Sequence, residues 1–386
     1  MTTQHVVFVV NDLSGLLHFR QAIVESLVCR GIRCSVVGPI LDGVFAPLVD
    51  VLVVYERLGV DVIEWPVTRR GTNPVIELLT IFRLFKIYYA IRPSLVHHVT
   101  PKPVLYGGIA AKIAGVSAIV NAVSGLGHAH GQGGIRRKIL RLILSPFLRL
   151  AHSGSRTRVI FQNNEDRKTL ISCGAVSPTQ ARLIRGSGVD PQKWQPAASL
   201  PRAPIVTVAS RMLKDKGIYD VIDAGRILRS QGVAIEIRLA GALDPGNPQA
   251  IQEEQIRAWE KEGIVKWLGP VSDMVSCWQA TRIACLPTYY AEGMPKALIE
   301  AASCGLPIIT TDTPGCNDIC IDGLNGILVP SREPAVLANA LKQLLENYEK
   351  SAELGKNGRE RILNEFDLRY VVDRHLEIYR EFINIP

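Results

Sequence analysis

The eight cysteines of this 386-residue chain include no C-x-x-C pair, so no zinc ribbon or dithiol redox motif is written into it. Positions 29, 34, 173, 277, 285, 304, 316 and 320 read as reduced, buried thiols, and no metal site is expected. No apolar stretch runs the ~20 uncharged residues that a spanning helix needs. The two longest, "VFAPLVDVLVVY" and "YGGIAAKIAGVSAIVNAV", are broken by Asp50 and Lys112. The opening "MTTQHVVFVVND" lacks a basic region, a longer apolar segment and a small-residue cleavage site, so no export or transit signal is expected and a cytoplasmic location is. A G-x-x-x-x-G-K-[ST] loop is missing, and neither "GLGHAHGQGG" nor "GSGVD" forms G-x-G-x-x-G after the first strand. This disfavours Walker-type and nicotinamide nucleotide sites. Aromatic residues are only 6% of the chain and form no base-stacking module, so nucleic acid is not an expected partner.

What is present is length, apolar content and a charge imbalance. With 47% apolar and 21% charged residues, the chain is globular and too long for one ordinary core. The net charge of +8 is uneven: residues 1–195 hold 23 Lys and Arg against 11 Asp and Glu, and the rest hold 21 against 25. A basic half meeting an anionic surface, substrate or polymer is the natural reading of that imbalance. Along the chain, near-continuous apolar runs of strand length ("HVVFVV", "CSVVGP", "SLVHHV", "SAIVNAV", "RVIFQ") alternate with segments of helical period. That alternation predicts α/β architecture, with parallel sheets covered by helices on both faces. It restarts after "WQPAASLPRAP", where prolines replace periodicity. The expected organisation is two Rossmann-like doubly wound domains facing a central cleft, residues 1–195 and 196–365, followed by a C-terminal helix, 366–386, packing back on the first.

Two segments of the second domain carry chemistry. "IACLPTYYAEGMPKALIE" reads as a buried strand, a loop, and a helix with Pro295 in its first turn. Glu292 then lies in the loop and Glu300 about two turns along, roughly on one side of the helix. Backbone N–H groups near Met294 and Lys296 would attract a diphosphate, leaving one acid for a sugar and one for a ribose. The plainer alternative makes Glu292 a helix cap and Glu300 a solvated charge. "VASRMLKDKG" puts Arg211, Lys214 and Lys216 after the domain's first strand, where fixed cations can stabilise a leaving diphosphate. In the first domain, Ser14-Gly15 opens a helix and offers N–H groups to an anion, or is an ordinary capped helix start.

Taken with "VHHVTPKPVLYGGIAAKIAG" and "NAVSGLG", these segments resemble the family 4 retaining glycosyltransferases of two-domain GT-B type, over nearly the whole chain. Among them the chain looks like bacterial enzymes of O-antigen, capsule and other lipopolysaccharide or polysaccharide biosynthesis. The resemblance implies a hexosyltransferase that moves a hexose or N-acetylhexosamine from a UDP-sugar to a polyprenyl-diphosphate-linked saccharide, with retention. It also implies that Arg211 and Lys216 hold the donor diphosphate, Glu292 contacts the transferred sugar and Glu300 binds the ribose. Gly293, Met294 and Pro295 would supply backbone around sugar and phosphate, Leu268 to Val271 would edge the base, and Gly15 would be the first-domain glycine at the cleft. His98, or its neighbour His97, would be the acceptor-side or catalytic histidine, because adjacent side chains on a strand face opposite ways. The chain departs from its relatives at Ser124, where many carry histidine, and in "NDLSG", which has one glycine where others have two.

No cofactor is expected beyond the donor itself, since no Asp-x-Asp motif is present to hold a metal-bound diphosphate. "GGIRRKILRLILSPFLRLA" sets Arg136, Arg137, Lys138, Arg141 and Arg149 among leucines and isoleucines. This is either a helix lying on an anionic membrane, which would place the enzyme peripherally on the inner face, or a core helix with a basic outer side. The rival functions are a nucleotide-sugar epimerase of the same fold and a non-enzymatic binder of anionic polymers.

Overall fold

The computed structural model describes residues 4–68, 73–125, 145–290 and 293–386. These form two compact units, Met1–Ser187 with Tyr370–Pro386, and Gly188–Arg369.

The first unit holds a seven-stranded sheet: β1 (His5–Val9), β2 (Arg33–Gly38), β3 (Asp61–Glu64), β4 (Leu95–Val99), β5 (Ile119–Val123), β6 (Thr157–Phe161) and β7 (Ala181–Leu183). Their order is β3-β2-β1-β4-β5-β6-β7, and every pairing is parallel. β1, β4 and β5 are buried along their whole length. That burial explains apolar runs without alternation: both faces of these strands are covered. The helix Leu13–Val28 starts at Asp12, whose carboxylate accepts from the N–H groups of Ser14 and Gly15. Capping of this kind satisfies donors that a helix start otherwise leaves open.

The second unit holds a six-stranded parallel sheet: β8 (Ile205–Ala209), β9 (Glu236–Ala240), β10 (Val265–Gly269), β11 (Ile283–Leu286), β12 (Ile308–Thr311) and β13 (Gly326–Val329), ordered β10-β9-β8-β11-β12-β13. Strand order reverses at β1/β4 in one sheet and at β8/β11 in the other. In open α/β sheets such switch points open a crevice at the strands' carboxyl ends. The proline-rich stretch beginning at Trp194 is strapped onto this second unit: the Trp194 carbonyl accepts from Ser303 and Arg359, and that of Gln195 from Gln279. The units divide at 187/188 and again at 369/370, so this stretch does not lie between them.

The helix Leu368–Arg380 belongs to the first unit from Tyr370 onward. Tyr379 hydrogen-bonds His97, and Glu381 pairs with Arg158 at 2.5 Å and Arg182 at 3.2 Å. Among the described residues no helix is long and apolar enough to cross a membrane.

Candidate active site

In the second unit the loops after β8, β9, β10 and β11 are bound together at the carboxyl edge of the sheet. Gly241, after β9, donates its N–H to the carbonyl of Gly269, the last residue of β10, at 2.8 Å and accepts the Trp267 indole N–H at 3.0 Å. Leu268 and Val271 flank that junction, both partly exposed. The Met212 N–H donates to the Ala242 carbonyl at 3.0 Å. Asp215, after β8, accepts through its carbonyl from the Tyr289 N–H (3.0 Å) and the Thr288 hydroxyl (2.9 Å), both after β11. The Lys216 ammonium stands 5.5 Å from the centre of the Tyr290 ring. The loop carrying Arg211 and Lys216 is thus fixed against the loop that leads to the helix Lys296–Ser303.

That approach depends on a glycine. Gly217 has φ +74°, and a Cβ there would lie 2.0 Å from the Pro287 carbonyl oxygen. Only glycine permits both the left-handed turn and the contact.

Arg211 is about a third exposed and pairs with Asp244 at 2.5 Å; Asn247 donates to the same carboxylate at 3.2 Å. Neither partner was among the residues singled out in the sequence, because the segment "GALDPGNPQ" has no periodicity or motif to mark it. Pro295 occupies the N-cap of the helix Lys296–Ser303, one position before the first turn where it was expected. It supplies no side-chain cap and the first turn has no acidic residue, so neither Pro295 nor a first-turn carboxylate neutralises the positive end of the helix dipole. Gly293 and Met294 precede it, both buried. Glu292 lies outside the described residues.

Glu300 is buried, 7% exposed, which rules out the solvated-charge alternative. Its carboxylate lies 3.8 Å from the Lys296 ammonium. Burial pushes the carboxyl up to about 7 despite the downward pull of Lys296 and Lys193. Burial also lowers the Lys296 ammonium, with Glu300 opposing. A half-ionised carboxyl under a helix start is matched to hydroxyl donors, which favour its charged form when they bind.

In the first unit His97 and His98 do point opposite ways. His97 meets Tyr379 and stacks on His375, with ring centres 5.9 Å apart. His98 is locked in a chain of bonds: the Tyr88 hydroxyl lies 2.8 Å from Nε2, Nδ1 lies 2.6 Å from the Asn121 amide oxygen, and Asn121 donates to Ala151 and His152. Both are fully buried, and burial lowers His98 to about 4 and His97 well below its ordinary range, so both rings are neutral at pH 7. Gly107 packs against His98 so tightly that a Cβ would come within 2.4 Å of the ring. At the end of β4, Thr100 has φ +79° and a buried hydroxyl with no partner among the described residues. Such strain in a β-branched residue is costly and concentrates at functional positions. No sequence signal announced it.

The N–H groups of Ser14 and Gly15, read as a possible anion site, are occupied by Asp12, and the Ser14 hydroxyl accepts from Phe45. Of the basic residues of the segment 133–151, only Arg149 is within the described residues, and it donates to the Cys173 carbonyl; Arg136, Arg137, Lys138 and Arg141 lie outside them. No cluster of three or more metal-binding side chains occurs among the described residues.

Residues 192–361 match the family model for glycosyl transferases group 1, and residues 51–163 the model for glycosyl transferase 4-like domains. The chain belongs to these glycosyl transferases. It is 24% identical over 383 residues, 96% of each chain, to the N,N'-diacetylbacillosaminyl-diphospho-undecaprenol alpha-1,3-N-acetylgalactosaminyltransferase of Campylobacter jejuni. It is also 24% identical to the UDP-Gal:alpha-D-GlcNAc-diphosphoundecaprenol alpha-1,3-galactosyltransferase of Escherichia coli, over 82% of this chain and 83% of that one. Among solved structures, Anabaena HepE in complex with UDP superposes with a TM-score of 0.75 at 19% identity, covering 98% of this chain and 100% of that one. Both sheets have the GT-B character of these neighbours, and the chain is a transferase enzyme; another relative, 24% identical over 80% of this chain and 82% of that one, is named a capsular polysaccharide biosynthesis glycosyltransferase of Staphylococcus aureus.

Proposed function

We propose that this glycosyltransferase moves a hexose or N-acetylhexosamine from a UDP-sugar to a saccharide carried on a polyprenyl diphosphate, with retention at the anomeric carbon. The observation that carries the donor half is the joining of two loops at the β8/β11 switch point. They fix the loop carrying Arg211 and Lys216 against the loop that leads to the helix Lys296–Ser303, whose Pro295 N-cap makes no side-chain bond and which carries the buried Glu300. In this reading Arg211 exchanges Asp244 for the donor diphosphate, and Lys216 and the helix dipole stabilise the charge that grows as the diphosphate leaves. These fixed positive groups take the place of a metal ion. Glu300 accepts from the ribose hydroxyls, Gly293 to Pro295 line the sugar and phosphate, Leu268 and Val271 edge the base, and Glu292 contacts the transferred sugar. The acceptor hydroxyl attacks from the face that the diphosphate vacates, passing its proton toward the leaving phosphate.

The acceptor half rests on the Campylobacter and Escherichia relatives, whose names specify undecaprenol-diphosphate sugars. A lipid acceptor requires the enzyme to work at a membrane surface. The neutral, fully engaged His98 supports a role in holding the end of β4, and with it Thr100, rather than contact with substrate. No observation favours the epimerase or polymer-binding alternatives.

Calorimetric titration against UDP, GDP and ADP tests the donor assignment. The expected result is selective binding of UDP, weakened roughly tenfold or more in Lys216→Ala, as for loss of a hydrogen bond to a charged group. Equal affinity in parent and variant would remove Lys216 from the site.

A further inference from the structure

The helix Pro74–Ile91 has two unlike faces. Inward, Leu84 and Tyr88 join the core with Trp65, Val96 and Ala111, and the Trp65 indole N–H donates to the Thr80 carbonyl at 3.0 Å. Outward, Val75, Ile76, Leu78, Leu79, Phe82 and Tyr89 are each 48–67% exposed. Val75, Leu79, Phe82, Lys86 and Tyr89 recur every three or four residues, so they form one stripe about 21 Å long. A soluble protein rarely leaves such a continuous apolar strip open to water unless something covers it.

The charges along the strip are all positive. Arg83 and Lys86 lie on the exposed side and Arg92 follows the last turn. Lys86 sits over Phe82 at 4.8 Å and Arg92 over Tyr89 at 6.0 Å, so their stems lie along the apolar strip. Glu77, the helix's single acid, is withdrawn into a 2.6 Å pair with Lys102. The helix Leu48–Arg57 makes a useful contrast: it also exposes Val49 and Val53, but with Asp50 and Glu56 exposed among them.

We propose that the outer face of Pro74–Ile91 is the surface by which the protein docks on an anionic phospholipid bilayer. The apolar stripe enters the headgroup boundary and Arg83, Lys86 and Arg92 reach to lipid phosphates, the arrangement of an interfacial helix. A second copy of the chain is a poorer occupant, since a two-fold contact would set the same cations against each other. The proposal rests on the membrane-bound acceptor of the preceding section but places docking on a different part of the chain from the basic segment 133–151.

The test is co-sedimentation of the full chain with vesicles of phosphatidylcholine alone and with added phosphatidylglycerol. The parent, Leu79→Ser/Phe82→Ser and Arg83→Glu/Lys86→Glu are compared, with melting temperature and UDP affinity measured on each. The expected result is preference of the parent for the anionic vesicles, a roughly tenfold or greater loss in the serine variant, and loss of lipid preference in the charge-reversed one. Melting and UDP affinity should be unchanged, because these positions are exposed and lie in the other unit from the donor site. If the parent binds and the serine variant binds equally well, the docking face is elsewhere while the membrane reading stands. If the parent binds no vesicle, both fall, and the UDP titration still reports separately on the donor site. A change of oligomeric state in the serine variant would make the strip a protein contact and overturn the proposal.

Discussion

Replacing Glu300 by Gln should weaken donor binding by about ten- to a hundredfold and, in the same protein, flatten the dependence of stability on pH. The first effect follows from losing a charged acceptor for two ribose hydroxyls, each such bond being worth roughly 1.5–3 kcal/mol. The second follows from burial. With the folded-state pKa raised to about 7 from 4.5, the folded chain holds a proton that the unfolded chain has released. The contribution of this group is therefore fully present below pH 4.5, declines as pH rises toward 7 and is gone above it. At 1.36 kcal/mol per unit the decline is about 3 kcal/mol. Glu300→Gln should show no such decline between pH 5 and 8, and should gain stability relative to the parent as pH rises. Binding has the opposite slope: hydroxyl donors need the carboxylate, so affinity for a nucleotide sugar should rise from pH 5.5 to about 7 and then level, with proton release on binding at pH 6.5. Calorimetry in two buffers of different ionisation enthalpy measures that release. A parent that binds without releasing protons, or a Gln variant that binds as tightly, would detach Glu300 from the ribose.

The same residue shows how far the sequence could be read. The nine residues from Glu292 to Glu300 were enough to place a loop at the end of a strand and a helix after it, because Gly, Pro and the apolar run before them have few other solutions. Both sheets were legible for a related reason: strands covered on two faces must be apolar throughout, as β1 and β4 are. What could not be read was which plausible donors were already engaged. Ser14 and Gly15 look like an anion site until Asp12 is seen to fill it. Asp244, the partner of Arg211, lies 33 residues away in a segment without pattern. The outward face of Pro74–Ile91 was hidden for the converse reason. Its apolar residues go almost all the way round, and a helix of that composition reads as core. Only the fold shows which side has no cover. The prolines from Trp194 onward read as a linker because breakers mark loss of periodicity, yet a chain without periodicity can still be held by its carbonyls.

Gly217→Ala should be among the most damaging single methyls in the second unit. Two costs combine. An L-residue at φ +74° is strained by about 1–2 kcal/mol, and the new Cβ would sit 2.0 Å from the Pro287 carbonyl oxygen, with the Pro287 ring at 2.9 Å. Backbone has to move to relieve that contact. The bonds from Tyr289 and Thr288 to Asp215 hold the same two loops together, so separating them also displaces Lys216 from Tyr290. Gly232 supplies the control: its φ is +73°, but a Cβ there meets nothing within 4 Å. Gly232→Ala therefore carries the torsional cost alone, and its thermal midpoint should fall by a few degrees with nucleotide affinity intact, as expected for about 1 kcal/mol in a unit of this size. Gly217→Ala should lose about 3 kcal/mol or more and bind UDP at least tenfold more weakly in the folded fraction, because the cations and the helix start no longer share one geometry. Midpoints and affinities measured side by side separate the two causes. If the two variants melt alike and bind alike, the loops tolerate separation and the close approach of β8 and β11 is not what assembles the donor site.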